Sequence, residues 1–350
     1  MNKFKRFLLN CKYYHKIRLI LNRVNMKKYI NFMHELLNNR NQSIQYLSER
    51  ALNSPCWSRE IFSTNEFYAH DLIFKKYAGI SYSQSLSCLI EHGLVLTEHL
   101  VENVNKFPLA TSNIVMSEAR KMYLKKNGIP AYAVGPYIHY ADSIYNHEDL
   151  KMMKKRLGKT LLFFPSHSTK YVSIKESYKT FSKTISKLKK NHNFSSVLIC
   201  GYFLDIEDKL FDYIEKEKGY YFISAGNRCG PLFLNLIKTY IILADVVASN
   251  TIGTQAGYAL FLGKPFWTIS NTNIIDSYAG STLHVLKEQS IVDKPLIGDY
   301  DISYHELEKL FQKQSYDIDK DLFKIVSSLW GFNDIKSKSE INKIIYKTIR

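Results

Sequence analysis

The sequence predicts an α/β protein: two Rossmann-like doubly wound domains facing a cleft, with a basic helical N-terminus and a helical C-terminal tail. Three observations carry that expectation. The chain has 350 residues, more than one hydrophobic core usually serves, so length favours two domains. Short apolar runs alternate with segments of helical periodicity, which is the grammar of β-α-β units and a parallel sheet. A polar, charged stretch from His139 to Lys159, entered through Gly135-Pro136, separates one series of such units from the next.

The opening "MNKFKRFLLNCKYYHKIRLILNRVNMKKY" interleaves Lys3, Lys5, Arg6, Lys12, Lys16, Arg18, Arg23, Lys27 and Lys28 with Phe4, Phe7, Leu8, Leu9, Ile17, Leu19, Ile20 and Leu21. No apolar run in it is long enough to span a bilayer or form a signal-peptide core. A basic face beside an apolar face suits an anionic membrane surface; the plainer reading is a surface helix packed on the body of the protein. From Arg59 to Gly79 the apolar residues recur at helical spacing and stop at a glycine, so one helix with a C-terminal cap is expected there. "LSCLIEHGLVL" reads as a short buried strand broken at His92-Gly93. "TSNIVMSEARKMYLKKNGIPAYAVGPY" then supplies a strand (Asn113 to Met116), a helix (Glu118 to Lys126), a turn at Asn127-Gly128 and a strand (Ala131 to Val134). Residues 1–138 form the expected first domain, with 139–159 as the linker.

The second domain, residues 160–302, restarts with the strand Thr160 to Phe164, which ends in Pro-Ser-His-Ser. A lysine-rich helix from Ile174 to Lys190 leads to the strand "SSVLICGYF", and a helix from Ile206 to Lys218 leads to "YYFISAG". Helix "PLFLNLIKTYIIL", strand "DVVAS", helix "TQAGYALFLG" and strand "PFWTI" complete the alternation, with the short connections usual in α/β units. The tail, 303–350, reads as helices, "HELEKLFQK" and "EINKIIYKTI" being amphipathic.

A formal charge of +16, from 48 basic and 32 acidic residues, favours phosphate-rich partners or an anionic membrane. Cys11, Cys56, Cys88, Cys200 and Cys229 are an odd number without paired metal-type spacing. They argue against a disulfide framework and a zinc site and for a reducing, cytoplasmic compartment. Neither a metal nor a resident cofactor is expected. No nucleic-acid-binding module is recognisable, so no nucleic-acid partner is expected.

The candidate site residues lie just past strand ends, where a parallel sheet presents ligands. "DVVASNTIGTQAG" places Ser249, Asn250, Thr251, Gly253 and Thr254 there: Gly253 permits close backbone approach, and the following helix offers unpaired amides to phosphate. Alone, such a turn is as readily a plain N-cap. "FFPSHS" adds Ser166, His167 and Ser168, with Lys170 nearby. Gly201 and Tyr202 follow "VLIC", and Asn227 and Arg228 follow "YYFISAG", so four strand ends form one rim. In the first domain Glu91 and His92 follow an apolar strand, and either could take a proton from a hydroxyl across an interdomain cleft. Glu98 and His99 repeat the pair without the strand end, and Glu118 suits its own helix's first turn.

Two consecutive α/β halves, a Gly-Pro crossover, "EHGLVL", "AVGPYI", "FFPSHS" and "ADVVASNTIGTQAGYALFLGKP" together resemble a glycosyltransferase of the GT-B architecture, over roughly Phe67 to Ile269. The last motif is similar to the donor-site strand-loop-helix of that superfamily. The His92-Gly93 turn resembles the one that carries the proposed base in bacterial surface-polysaccharide and teichoic-acid-type transferases. The resemblance implies a nucleotide-sugar donor held by the second half, a glycan or lipid-linked acceptor on the first, and transfer without an obligatory metal. The acidic residue that grips sugar or ribose in many such enzymes is missing from "SNTIGTQAG", where Asn250 and Gln255 stand instead. Two other readings accompany it: a nucleotide-sugar 2-epimerase of the same architecture, which needs further carboxylates around the sugar, and a non-catalytic membrane or nucleic-acid adaptor.

Overall fold

A computed structural model of the chain describes residues 12–38, 43–56, 58–98, 100, 104–107, 109–165, 172–173, 178–204, 218–269, 277–278 and 295–345. Three short strands, β1 (Leu89–Ile90), β2 (Asn113–Val115) and β3 (Ala131–Ala133), form a parallel sheet in that order. Between β2 and β3 runs α4 (Glu118–Lys126), which starts where the Ser117 hydroxyl accepts the Arg120 amide and stops at Asn127-Gly128, with Gly128 left-handed. Leu89, Val115, Leu124, Ile129 and Ala133 pack beneath this unit with Ile61 and Phe62.

The second sheet has five parallel strands: β4 (Thr160–Phe164), β6 (Ser196–Cys200), β7 (Tyr220–Ile223), β8 (Val246–Ser249) and β9 (Phe266–Thr268). Their spatial order is β7-β6-β4-β8-β9. The chain therefore steps outward from β4 in one direction, returns to β4's other side at β8, and continues the other way. β4 and β8 bound the point where the order reverses, and in open α/β sheets ligands bind outside the strand ends at that point. The apolar runs of β4, β6 and β8 are buried on both faces, as parallel strands require. Helices α6 (Tyr178–Asn191), α7 (Phe233–Leu243) and α8 (Thr254–Phe261) connect them, and β5 (Val172–Ser173) pairs antiparallel with β10 (Ser277–Tyr278) outside this sheet. The expected α/β architecture, with two parallel sheets, is the one observed. Most of the expected helix from Ile206 to Lys218, and residues 174–177 of the one before it, lie outside the described residues.

Three features differ from the sequence reading. The expected helix from Arg59 to Gly79 is two pieces, a 3₁₀ segment (Ser63–Ala69) and α3 (His70–Ala78), because Tyr68 and Ala69 take left-handed backbone conformations. The stretch 139–159 contains α5 (His147–Leu157), capped by Asn146, whose Lys154 pairs with Asp245 at the foot of the second sheet. The N-terminal helices α1 (Lys12–Asn38) and α2 (Ile44–Leu52) reach the second sheet: the Ser48 hydroxyl accepts the Ser224 amide at 2.7 Å, and the Ala51 carbonyl fills the space a side chain on Gly226 would need.

The tail crosses back over both halves. α9 (Tyr304–Phe311) packs by β9, α10 (Lys320–Trp330) lies on α8, and α11 (Lys338–Ile345) lies on α3. Between α10 and α11 the Asp334 carboxylate accepts the Glu118 amide at the start of α4 (2.8 Å), and the Lys336 amide donates to the Tyr140 hydroxyl (2.9 Å).

Candidate active site

At the point of strand reversal, Phe164 of β4 stands in register with Ser249 of β8. The β4 loop residues Ser166, His167 and Ser168, and Lys170 beyond them, lie outside the described residues. The β8 turn divides into an inner and an outer part. Ser249 and Asn250 are 2% exposed and hold the turn together. The Ser249 hydroxyl accepts from Gln255 Nε2 (3.2 Å), and Asn250 Nδ2 donates to the Ile269 carbonyl (3.4 Å). The Tyr304 hydroxyl lies 3.1 Å from both the amide and the carbonyl of Ile252, tying the turn to α9. Thr251 is exposed and Gly253 and Thr254 are half-buried. Gly253 caps α8 without any side-chain hydrogen bond, so the first-turn amides keep the anion affinity of a bare helix N-terminus.

α8 is clamped from behind. The Trp330 indole occupies the space a side chain on Gly257 would take, and its Nε1 donates to the Thr254 carbonyl at 3.3 Å. Gly257 is thus needed for a close helix approach, which explains the small residues of "TQAGYA".

The other two strand ends are less open than the sequence suggested. Gly201 is buried, its carbonyl accepting from the Ser224 hydroxyl (2.9 Å), and Tyr202 turns edge-on to Phe203. The end of β7 is covered by α2 at Gly226. Beyond that cover, Asn227 Oδ1 accepts the Cys229 amide (2.9 Å), folding a tight loop that carries Arg228 out toward the first half. There the guanidinium lies 4.1 Å from the centroid of the Phe67 ring, and the Arg228 carbonyl accepts the Tyr68 amide. Arg59, buried on Asp71 and Glu66, donates to the Cys229 carbonyl at 2.7 Å and anchors the same loop.

From the first half, β1 delivers Glu91 and His92 to this corner, and Gly93, left-handed at φ +76°, turns the chain away. The two residues differ. Glu91 is buried and gripped by Arg120, through Nε (3.0 Å) and Nη2 (2.8 Å). Burial pushes its carboxyl up and Arg120 pulls it back. His92 stands edge-on to Phe67 with ring centroids 4.7 Å apart. Burial first, and the charge of Arg228 second, push its pKa below the usual 6.5, so the imidazole is neutral at pH 7. Behind it His70 is fully buried and pushed down to about 3, again by burial and then by His92. Its Nδ1 has no hydrogen-bond partner among the described residues.

The structure therefore brings His92 and Arg228 together over Phe67, and groups Thr251, Gly253 and Thr254 at the head of α8. Phe67, Tyr68 and His70 went unremarked as site residues in the sequence. Their one signal is the cluster Ser63-Thr64-Asn65, cap-forming residues in the middle of an apparent helix. The Asn65 side chain does serve as a bridge, donating to the Cys88 carbonyl and accepting the Ile90 amide, both at 2.8 Å.

A groove of about 1230 Å³ lies elsewhere, between α4, α10 and residues 297–300, and none of the candidate site residues lines it. Its wide, exposed walls mix Glu118, Asp299 and Asp334 with Lys125 and Lys324. The strand reversal is the stronger locator because it follows from topology. Among the described residues no three His, Cys, Asp or Glu side chains are placed to hold a metal, and no helix is long and apolar enough to cross a membrane.

No family model matches the chain, and no curated protein matches it. Among solved structures it is similar to a UDP-GlcNAc 2-epimerase from Neisseria meningitidis bound to UDP-GlcNAc, with TM-score 0.35 and 12% identity, over 87% of this chain and 81% of that one. It is also similar to the wall teichoic acid polymerase TagF, with TM-score 0.41 and 10% identity, over 73% of this chain and 66% of that one. The UDP-GlcNAc 2-epimerase of Methanocaldococcus jannaschii matches with TM-score 0.38 and 15% identity, over 69% of this chain and 61% of that one. These likenesses are too distant to bear on the site, which stands on its own geometry.

Proposed function

We propose that the protein is a metal-independent glycosyltransferase of the GT-B type, moving a sugar from a nucleotide-activated donor to a glycan or lipid-linked acceptor during assembly of a bacterial surface polysaccharide. One observation carries this reading. A neutral histidine from one half and an arginine from the other meet on the Phe67 ring, and the helix after β8, in the arginine's own sheet, offers bare amides at the strand reversal. That pairing matches what glycosyl transfer from a nucleotide requires: a base for the acceptor hydroxyl and cationic or amide donors for the leaving phosphate.

In this account the donor phosphates lie against the start of α8, with Thr251, Gly253 and Thr254 beneath them and Arg228 alongside. The acceptor hydroxyl gives its proton to His92 as its oxygen bonds to the anomeric carbon. The bond from that carbon to the phosphate oxygen breaks on the opposite face, and the electron pair leaves with the nucleotide. The outcome is inversion. Glu91 is held by Arg120 and orients the corner rather than accepting the proton. Serine and histidine at 166–168 remain candidate phosphate ligands on the sequence pattern alone. The free cysteines Cys56, Cys88, Cys200 and Cys229 support a reducing, cytoplasmic setting.

The carboxylates nearest the cleft weigh against the epimerase alternative. Glu91 is paired with Arg120 and Asp71 with Arg59, and the Glu66 carboxylate accepts the backbone amides of Arg59 and Glu60, so among these groups His92 is the available base. The test is nucleotide release from a panel of uridine, cytidine and guanosine sugars, with and without simple glycan acceptors. Release from one donor, accelerated by an acceptor, is the expected result. Conversion of a donor sugar to its 2-epimer without such release would overturn the transferase reading in favour of the epimerase.

A further inference from the structure

α1 is apolar on two opposite sides. Met26, Tyr29, Met33 and Leu36 are buried against the protein, in line with the buried polar Asn22, recurring every three or four residues as an inward face does. Ile17, Ile20, Leu21 and Val24 recur at the same spacing, yet they are 60%, 62%, 58% and 53% exposed. At 3.6 residues per turn the second set falls on the side of the helix away from the first. Four branched aliphatic side chains in one outward stripe are an apolar patch that the fold leaves uncovered among the described residues.

The charge around this stripe says what covers it. Arg23 and Lys27 are exposed beside it, and from Met1 to His34 the sequence has nine Lys and Arg residues and no Asp or Glu. A second copy of the same face would bring like charge against like charge, which disfavours a symmetric dimer through it. A bilayer of anionic lipid supplies both the apolar layer and the complementary charge, which is the arrangement of a helix lying in the plane of a membrane interface.

We infer that the outward face of α1, through Ile17, Ile20, Leu21 and Val24 with Arg23 and Lys27 at its edge, docks the protein on an anionic lipid surface. The helix lies along the surface and does not cross it, in keeping with its length of exposed apolar face and the charges that flank it. The contact is independent of which sugar the cleft takes.

The test is sedimentation of the full chain with vesicles of phosphatidylcholine alone and with about one third phosphatidylglycerol. The wild type should bind the anionic vesicles, weakly at high salt and weakly to phosphatidylcholine. Ile20→Glu/Leu21→Glu should reduce binding at least about tenfold, and Arg23→Glu/Lys27→Glu by about tenfold or more, with the salt dependence reduced. All four positions are exposed, so circular dichroism and the melting midpoint should be unchanged. No vesicle binding by the wild type, or binding equal in Ile20→Glu/Leu21→Glu, would overturn the inference. So would a wild-type dimer that the same pair of substitutions makes monomeric, which would assign the stripe to a second copy.

Discussion

Two corners of this molecule begin alike in the sequence and end differently in the structure. The turn after β8 and the turn after β1 each follow a buried strand and each contain a glycine. The β8 turn is fastened from three sides: Gln255 to Ser249, Tyr304 to Ile252, and Trp330 to Thr254 with its ring against Gly257. At the β1 turn, His92 meets its surroundings through a ring contact with Phe67 and through the charge of Arg228 across the cleft. The first corner is a rigid platform, and its outer atoms alone are offered to a ligand. The second holds a titratable group where a reacting proton could be received. On the proposed reading, the difference divides function between a fixed anion cradle and a separately supported base.

The division can be broken from either side, and the largest effect should come from the base. His92→Ala should lower kcat/KM for sugar transfer by about 10² to 10⁴, the usual contribution of a positioned general base. Its melting midpoint should stay within a few degrees of the wild type. A variant that loses stability but keeps activity would reverse the roles assigned to the two corners. Trp330→Ala should do the opposite, costing about 3–5 kcal/mol in urea unfolding by emptying a fully buried indole site behind α8. A cost below about 1 kcal/mol would show that the tail does not clamp the platform.

A smaller effect should appear with pH. His70 is buried neutral with a pKa near 3 against 6.5 when unfolded, so the unfolded chain takes up its proton first as pH falls. Its neutral burial is therefore fully tolerated above pH 6.5 and becomes destabilising as pH drops through the interval down to about 3. Between pH 7.5 and 4.5 this group should account for about 2 to 3 kcal/mol of lost stability. The difference between wild type and His70→Leu, followed by denaturant midpoints across that range, isolates it. Parallel pH curves for the two proteins would show that His70 is not the buried neutral group described.

Much of the second half was legible because its signals are local. Buried apolar runs, the Gly263 turn before Pro265 and the helix caps sit within a few residues of the elements they define. The Glu118 to Lys126 helix was read with its boundaries intact because Ser117 and Asn127-Gly128 mark both ends. What was missed depends on partners far along the chain. Tyr68 and Ala69 are types that do not favour left-handed backbone, and the Tyr68 amide is held there by the carbonyl of Arg228. Glu91 reads as a free base until Arg120, 29 residues on, is seen to grip it. Arg59 reaches Cys229 across 170 residues, and the tail's return over α3 and α8 has no local mark at all. Of the four strand ends expected to form one rim, the one after β7 is roofed by α2, whose position no pattern in residues 44–52 announces.

The most direct test of the central claim is nucleotide binding, followed as the shift in melting midpoint of the wild type and of Arg228→Ala against uridine, cytidine and guanosine mono- and diphosphates. A ligand at about 100 times its Kd adds roughly 2.7 kcal/mol to the folded state, which such a measurement resolves. The account predicts that one nucleotide stabilises the wild type and binds about tenfold more weakly to Arg228→Ala. Failure of every nucleotide to shift the wild type, or an equal shift in both proteins, would contradict a phosphate site shared between Arg228 and the head of α8.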